Sequence, residues 1–405
     1  MHFHHLHFYV KDAAFWQDWF TAKLAFQAVN NQPIGSQLRP HSAADRSAAD
    51  RAATGQTAIA STAINSAAIA STADRSVGET ASYRTLKQGD IEVRLSDPTS
   101  SPEAEQYLQQ HPPGIADLAL ATNTFEAVLA QAVAQGAKLT RNVSGIVGQR
   151  QCQLQGWGSL RHTLIEVADR SSDQTLRSMH SAIATQQART APQTPSLLSS
   201  IDHAVLNVAK GQMEVAARWY QRVFGLAQGQ RFEITTARSG LCSQVLVHPH
   251  GSLQLPINEP SSTNSQIQEF INHNRGAGIQ HVALKTLDAV GAIARLRQRG
   301  LDLISVPATY YEDLRHRPHC PLLDTSAASA QQLLLDWAAS GKQGALLQTF
   351  TKPIFPEPTF FFEIIERGTY AENGQIKSAQ GFGEGNFQAL FEAIERAQLE
   401  RGSLV

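Results

Sequence analysis

Period-two alternation opens the chain. His5-Leu6-His7-Phe8-Tyr9-Val10 switches between polar and apolar positions and predicts a strand. From Asp12 the spacing becomes helical, with Phe15, Trp16, Trp19 and Phe20 on one apolar face. Residues 82–86 and 91–95 then flank Gln88-Gly89-Asp90 as a predicted hairpin. The run Gly114-Ile115-Ala116-Asp117-Leu118-Ala119-Leu120 predicts a buried strand. The helix behind it presents Phe125, Val128, Leu129, Ala132 and Val133, and Gly136 closes that helix. Thr163-Leu164-Ile165-Glu166-Val167 ends this half as a strand.

The same plan returns after residue 200. His203 corresponds to His5, Trp219-Tyr220 to Trp19-Phe20, and Gly278-Ile279-Gln280-His281 to Gly114-Ile115-Ala116-Asp117. Phe362-Glu363-Ile364 corresponds to Ile165-Glu166-Val167. The chain therefore reads as a duplicated α+β unit, with halves over 1–170 and 200–405. The polar stretch 171–199, with Pro192 and Pro195 near its end, reads as a linker. The second half ends on a predicted helix over 386–400. Asn386 stands as its N-cap, with Phe387, Leu390, Phe391, Ile394 and Gln398 at helical spacing after the glycines 381, 383 and 385.

Residues 36–80 break the pattern. They are built from Ala, Ser, Thr, Asp and Arg, and Ala44-Asp45-Arg46-Ser47 returns as Ala73-Asp74-Arg75-Ser76. Without large side chains for a core, this stretch reads as a low-complexity insertion. At 405 residues the chain has material for two or more domains. Its 34 basic and 35 acidic residues nearly cancel, which argues against nucleic acid and anionic membrane as partners. No apolar run reaches the length of a membrane span, and the first residues lack the parts of a secretory signal. Cys152, Cys242 and Cys320 are scattered and make no disulfide framework. These features lead us to expect a cytoplasmic protein. A homo-oligomer is compatible with the sequence.

The candidate chemistry lies in three apolar strands. His281 sits at the centre of Gly278-Ile279-Gln280-His281-Val282-Ala283-Leu284, where its ring nitrogens need a hydrogen bond or a metal. A lone histidine in such a run is more often a satisfied core residue than a ligand. His203 heads a second apolar strand, and Glu363 lies within Thr359-Phe360-Phe361-Phe362-Glu363-Ile364-Ile365. A carboxylate buried there needs something positive beside it. Two imidazoles and one carboxylate on separate strands match the ligand set of non-haem Fe(II) oxygenases. The four histidines between His2 and His7 are expected to point to both faces of a sheet, so they cannot all converge on one ion.

These three stretches occur in order with Leu346-Leu347-Gln348-Thr349-Phe350-Thr351-Lys352-Pro353 and Gly381-Phe382-Gly383-Glu384-Gly385-Asn386-Phe387. Together they resemble the 4-hydroxyphenylpyruvate dioxygenase family, over nearly all of 200–399 and more weakly over 1–170. The resemblance implies the vicinal oxygen chelate fold, in which duplicated βαβββ modules form two open barrel-like domains. It implies Fe(II) held by His203, His281 and Glu363 in the C-terminal barrel alone, leaving the first half structural, and 386–400 as a gating helix. It further implies 4-hydroxyphenylpyruvate and O2 as substrates and homogentisate as product. Gln280, Gln348, Ser243, Asn258 and Gln266 match polar pocket positions, and Phe350, Phe382 and Phe387 match aromatics that shape a ring slot. Thr349 and Glu366 depart from the Ile and Gln usual at these places, and 318–339 matches poorly. Alternatives sharing the fold are a 4-hydroxymandelate synthase, an extradiol catechol dioxygenase and a small-molecule binding module without a metal.

Overall fold

The strands fall into two sheets of the same design. The structure, a computed structural model, describes residues 1–29, 83–168, 196–236, 238–314, 316–317, 325–337, 344–372, 374–400 and 402. The expected insertion at 36–80, Cys320 and most of the expected linker lie outside the described residues. The first half runs β1 (His2–Tyr9), α1 (Ala13–Leu24), β2 (Gln27–Val29), β3 (Arg84–Gln88) and β4 (Ile91–Ser96). It continues with α2 (Pro102–Gln110), β5 (Gly114–Thr122), α3 (Phe125–Ala134), β6 (Leu139–Ser144), β7 (Gln151–Gln155) and β8 (Arg161–Glu166). The second half runs β9 (Ser200–Asn207), α4 (Met213–Phe224), β10 (Ala227–Thr235), β11 (Gly240–Val247), β12 (Gln254–Pro260), α5 (Gln266–Asn274) and β13 (Gly278–Lys285). After these come α6 (Ala289–Gln298), α7 (Ala308–Leu314), α8 (Thr325–Ala330), β14 (Leu334–Asp336), β15 (Leu346–Phe350) and β16 (Phe361–Arg367). A hairpin of β17 (Thr369–Glu372) and β18 (Gln375–Ser378) leads to α9 (Glu384–Glu400).

Each large sheet has eight strands, ordered β2-β3-β4-β1-β5-β8-β7-β6 and β10-β11-β12-β9-β13-β16-β15-β14. Replacing each strand of the first by its counterpart gives the second, so the fold is the expected duplication of βαβββ modules. The duplication extends to irregularities. Against β5, strand β1 carries an extra residue at His4, and against β13, strand β9 carries one at Asp202. Strands β5 and β13 carry matching extra residues at Ala116 and Gln280. A bulge lets two successive side chains leave the same side of a strand.

Strand alternation divides side chains between a shared core and the two sheet interiors. Leu6 and Phe8 of β1, and Phe362 and Ile364 of β16, face the core. There the rings of Phe8 and Phe360 lie 5.1 Å apart, and those of Phe20 and Phe362 lie 5.9 Å apart, so the halves are welded by aromatic edges. Helix α1 buries Trp16, Phe20 and Leu24, a stripe of four-residue steps, and leaves Phe15 58% exposed. The expected face was therefore one residue too wide. Val133 of α3 is likewise exposed, at 50%.

Two further expectations are corrected. Pairing sets His281 opposite Phe361 and Asp117 opposite Arg161, so the counterpart of Glu363 is Thr163 and not Glu166. Glu166 instead lies at the end of β8 and pairs with Arg150 at 2.7 Å. The helix expected over 386–400 begins two residues earlier, at Glu384, which puts Asn386 inside its first turn instead of at its N-cap.

The two departures from family pattern have physical consequences. Thr349 is fully buried and its Oγ1 has no hydrogen-bond partner. An unsatisfied buried hydroxyl costs about 1–3 kcal/mol, so Thr349→Val is expected to stabilise the protein by roughly 1 kcal/mol. A higher denaturation midpoint at unchanged slope is the expected reading, and a lower midpoint would reveal a partner for the hydroxyl. Glu366 Oε2 accepts the Ala289 N–H at the start of α6, at 2.6 Å. Burial raises the Glu366 carboxyl above its ordinary value, and the Ala289 hydrogen bond only partly opposes this. A carboxyl raised by folding contributes its stability below the unfolded value and loses it as pH rises through the folded one. Glu366→Gln cannot ionise. It is expected to raise the melting temperature relative to the parent more at about pH 7.5 than at about pH 4.5, and an equal shift at both would refute this reading.

Candidate metal centre

Strands β9, β13 and β16 are neighbours, and each sends one donor inward. His203 on β9 pairs with Ala283, and Ala283 pairs with Glu363, so these two side chains share a level across the sheet. His281 enters two residues earlier on β13. The result is a buried trio whose ligating atoms all lie within 4.8 Å of one another. Glu363 Oε2 stands 3.3 Å from His203 Nε2 and 3.7 Å from His281 Nε2. Donors bound to one ion at about 2.1 Å stand roughly 3.0–3.4 Å apart, so the 3.3 Å separation fits a shared divalent metal as it stands and the 3.7 Å one closes to it with a shift of a few tenths of an ångström. The chemistry fits as well, because a carboxylate that is 2% exposed needs positive charge beside it.

The two imidazoles are held differently. His203 Nδ1 donates to Asp202 Oδ1 at 2.9 Å, which fixes the tautomer that leaves Nε2 toward Glu363. Burial pushes the His203 imidazole down, but the Glu363 charge and the Asp202 hydrogen bond outweigh it and hold it up at about 9. Burial also opposes the Asp202 charge, yet hydrogen bonds from Arg367 and His203 keep that carboxyl far below its ordinary range. The Arg367 fork donates to both Asp202 oxygens, at 2.6 and 2.7 Å. His281 stacks on Phe361 at 4.8 Å and 16°, and its Nδ1 has no partner. Burial, then the neighbouring His203, lowers the His281 imidazole well below its ordinary value.

The trio opens into a slot lined from both ends of the second sheet. Phe232 and Ile234 of β10 and Phe350 of β15 border the same space, so the sheet curls around it. Among the expected pocket residues, Ser243, Asn258, Gln266, Gln280, Phe350 and Phe382 line the slot. The side chains of Ser243, Asn258, Gln266 and Gln280 take no hydrogen bond from any described residue, which leaves polar groups available to an occupant. Gln348 stands behind the trio, donating to Glu363 Oε1 at 2.9 Å and to the Phe382 carbonyl at 2.9 Å. The Phe387 side chain lies outside the described residues.

Sequence reasoning overlooked Asp202 and Arg367 and misassigned Asn386. Asp202 precedes His203 directly, and only the bulge brings both side chains to one side of β9. Asn386 Nδ2 donates to Gln348 Oε1 at 2.8 Å, and its Oδ1 accepts from Tyr310 at 2.7 Å. Asn207 was also missed. It continues the face of His203 and Val205 beside Asn258, is fully buried, and neither atom of its amide finds a partner.

The first sheet is satisfied from within. Asp117, the counterpart of His281, accepts from Gln153 Nε2 at 2.6 Å, from the Thr163 backbone N–H at 2.8 Å and from the Thr163 hydroxyl. The bulge at His4 brings two of the four N-terminal histidines together, with His4 Nδ1 and His5 Nδ1 2.9 Å apart. With Glu92 they form a second close trio. There, however, Lys87 at 2.9 Å and Arg94 at 2.8 Å already neutralise the carboxylate.

Replacing His281 by Ala removes one of three donors. Tight Fe(II) or Co(II) binding is expected to disappear while the circular dichroism spectrum stays that of the parent. Stoichiometric metal in the purified, folded variant would sink the ligand assignment.

The profile described as Glyoxalase/Bleomycin resistance protein/Dioxygenase superfamily matches residues 200–317. The chain is 35% identical over 332 residues to a 4-hydroxyphenylpyruvate dioxygenase of Pseudomonas aeruginosa, covering 80% of this chain and 87% of that one. It is 32% identical over 331 residues to hemolysin VllY of Vibrio vulnificus, covering 80% and 88%. Among solved structures, a triple mutant of 4-hydroxymandelate synthase from Streptomyces coelicolor superposes with a TM-score of 0.69 at 20% identity, covering 98% of both chains, which bears on the fold. The chain belongs to the 4-hydroxyphenylpyruvate dioxygenase-like family of the glyoxalase/dioxygenase superfamily, whose metal-dependent oxygenase ligand set it carries as a buried His-His-Glu trio.

Proposed function

We propose that the protein is an Fe(II)-dependent dioxygenase that converts 4-hydroxyphenylpyruvate and O2 to homogentisate and CO2. The observation that carries this reading is the buried trio opening onto a slot with an aromatic wall and four polar side chains that have no hydrogen-bond partner among the described residues. His203, His281 and Glu363 would hold the ion. Bound there, Fe(II) supplies chelation of the 2-oxo acid and activation of O2. Everything else falls to the chain. Phe350 and Phe382 line the slot with aromatic surface suited to a flat ring, while Gln280 and Ser243 offer hydrogen bonds to its polar ends. Phe232, Ile234, Phe391 and Ile394 keep water from the reacting groups. Gln348, fixed between Asn386 and Glu363, holds the carboxylate's second oxygen so that its first faces the histidines. On this reading 200–405 is the catalytic half, 1–170 a scaffold, and the terminal helix a gate over the ion.

The ligand trio argues against a binding module, which needs no metal. The Gln348 and 381–387 motifs argue against a catechol enzyme. A hydroxymandelate synthase would share fold, ligands and substrate, so the choice rests on how the ring is aimed. Asn258, within Pro256-Ile257-Asn258, offers an amide for the phenol hydroxyl, which favours oxygen attack on the ring carbon bearing the side chain.

Chromatography of the products formed by Fe(II)-reconstituted protein with 4-hydroxyphenylpyruvate and O2 tests this. Homogentisate is the expected main product, and predominant 4-hydroxymandelate would overturn the proposal. Asn258→Ile is expected to divert part of the flux to 4-hydroxymandelate or to decarboxylation without ring hydroxylation.

A further inference from the structure

Arg367 is placed unlike an ordinary anchoring arginine. Its side chain is 7% exposed at the end of β16, two turns of strand alternation beyond Glu363 and on the same face. One side of its guanidinium forks onto Asp202, the carboxylate that orients His203. The other side donates from Nη1 to the Ala379 carbonyl at 3.0 Å and the Gly381 carbonyl at 2.9 Å. Four hydrogen bonds thus tie a ligand's support to the segment that leads into α9.

The next carbonyl along is held from the opposite side. Phe382 O accepts from Gln348 Nε2, the nitrogen that also donates to Glu363. Between these two anchors the Phe382 ring meets the His203 ring edge-on at 5.2 Å and lines the slot. Gly381 and Gly383 both adopt positive φ, at 89° and 79°, and a Cβ on Gly383 would overlap the Gln348 amide. The path of 379–383 is therefore set by the same two side chains that position His203 and Glu363.

We propose that Arg367 is a positioning residue that makes His203 and the segment 379–391 one cooperative unit, so that metal binding and ordering of that segment strengthen each other. Linkage requires reciprocity: if metal orders the segment, then loosening the segment's attachment to Arg367 lowers metal affinity. A lysine at this position keeps the charge but lacks the planar fork, and cannot hold Asp202 and two carbonyls together. This inference rests on the metal reading of the trio but not on the identity of the substrate.

The test uses full-length metal-free protein under anaerobic conditions, titrated with Co(II) and followed by calorimetry and by visible ligand-field absorption. Hydrogen exchange of peptides spanning 378–391 is measured with and without Co(II). In the parent, Co(II) is expected to bind and to slow exchange across 378–391. Arg367→Lys is expected to lower Co(II) affinity by about tenfold or more, the usual effect of removing a group that supports a metal ligand, and to abolish the metal-dependent protection. Asp202→Asn, nearly isosteric, should lower affinity similarly and serves if the lysine variant does not fold. Parent-like affinity in Arg367→Lys, or reduced affinity with protection intact, would overturn the proposal. If the parent itself binds no Co(II), the metal reading fails and this inference falls with it.

Discussion

A carboxylate buried among phenylalanines is the constraint from which the second half can be understood. Glu363 is flanked in sequence by Phe360, Phe361, Phe362, Ile364 and Ile365, all buried, so water cannot solvate its charge. Leaving such a charge uncompensated costs several kcal/mol. The surrounding chain supplies the remedy in two parts: an amide nitrogen from Gln348 on one oxygen, and two imidazoles around the other. His203 is in turn committed by Asp202, and Asp202 by Arg367. A chain of compensations thus runs outward from one residue until it ends on the backbone carbonyls of Ala379 and Gly381. The same electrostatic demand that makes the trio costly when empty makes it a strong site for a doubly charged ion.

Much of this was legible in the sequence because burial and charge conflict visibly there. A histidine in Gly278–Lys285 and a glutamate in Phe361–Arg367 violate the apolar pattern of their strands, and violations of pattern mark function. The repeat was legible for the same reason, since apolar periodicity survives duplication. Register was not. The match of Glu363 to Glu166 looked natural by residue type, but pairing across β5 and β8 selects Thr163, and a shift of three residues cannot be seen without the partner strand. Bulges were equally hidden. Strict alternation sends Asp202 and His203 to opposite faces, and only an extra residue in β9 brings them together. Asn386 shows a third limit. A residue type favoured at helix caps was used instead to span from Tyr310 to Gln348, and local propensity carries no information about such distant partners.

The two halves also show how one scaffold can hold opposite chemistry. At equivalent positions the first half places His5, Asp117 and Thr163, and the carboxylate's acceptors are consumed by Gln153 and Thr163. In the second half the equivalent position of Gln153 is Phe350, an aromatic that donates nothing. Three exchanges, of Asp117 for His281, Thr163 for Glu363 and Gln153 for Phe350, therefore separate a self-satisfied interior from one that needs an occupant.

The matched bulges separate the geometry of the backbone from the donors it carries. His4 and Asp202 occupy the same irregularity, as do Ala116 and Gln280, although the two interiors hold different residues. A distortion present in both halves belongs to the shared backbone plan, not to one donor set. The kink that turns a ligand and its supporting neighbour to the same side therefore does not depend on the His-His-Glu trio. One bent frame thus accepts either a carboxylate sealed by its neighbours or a set of donors left open to an ion.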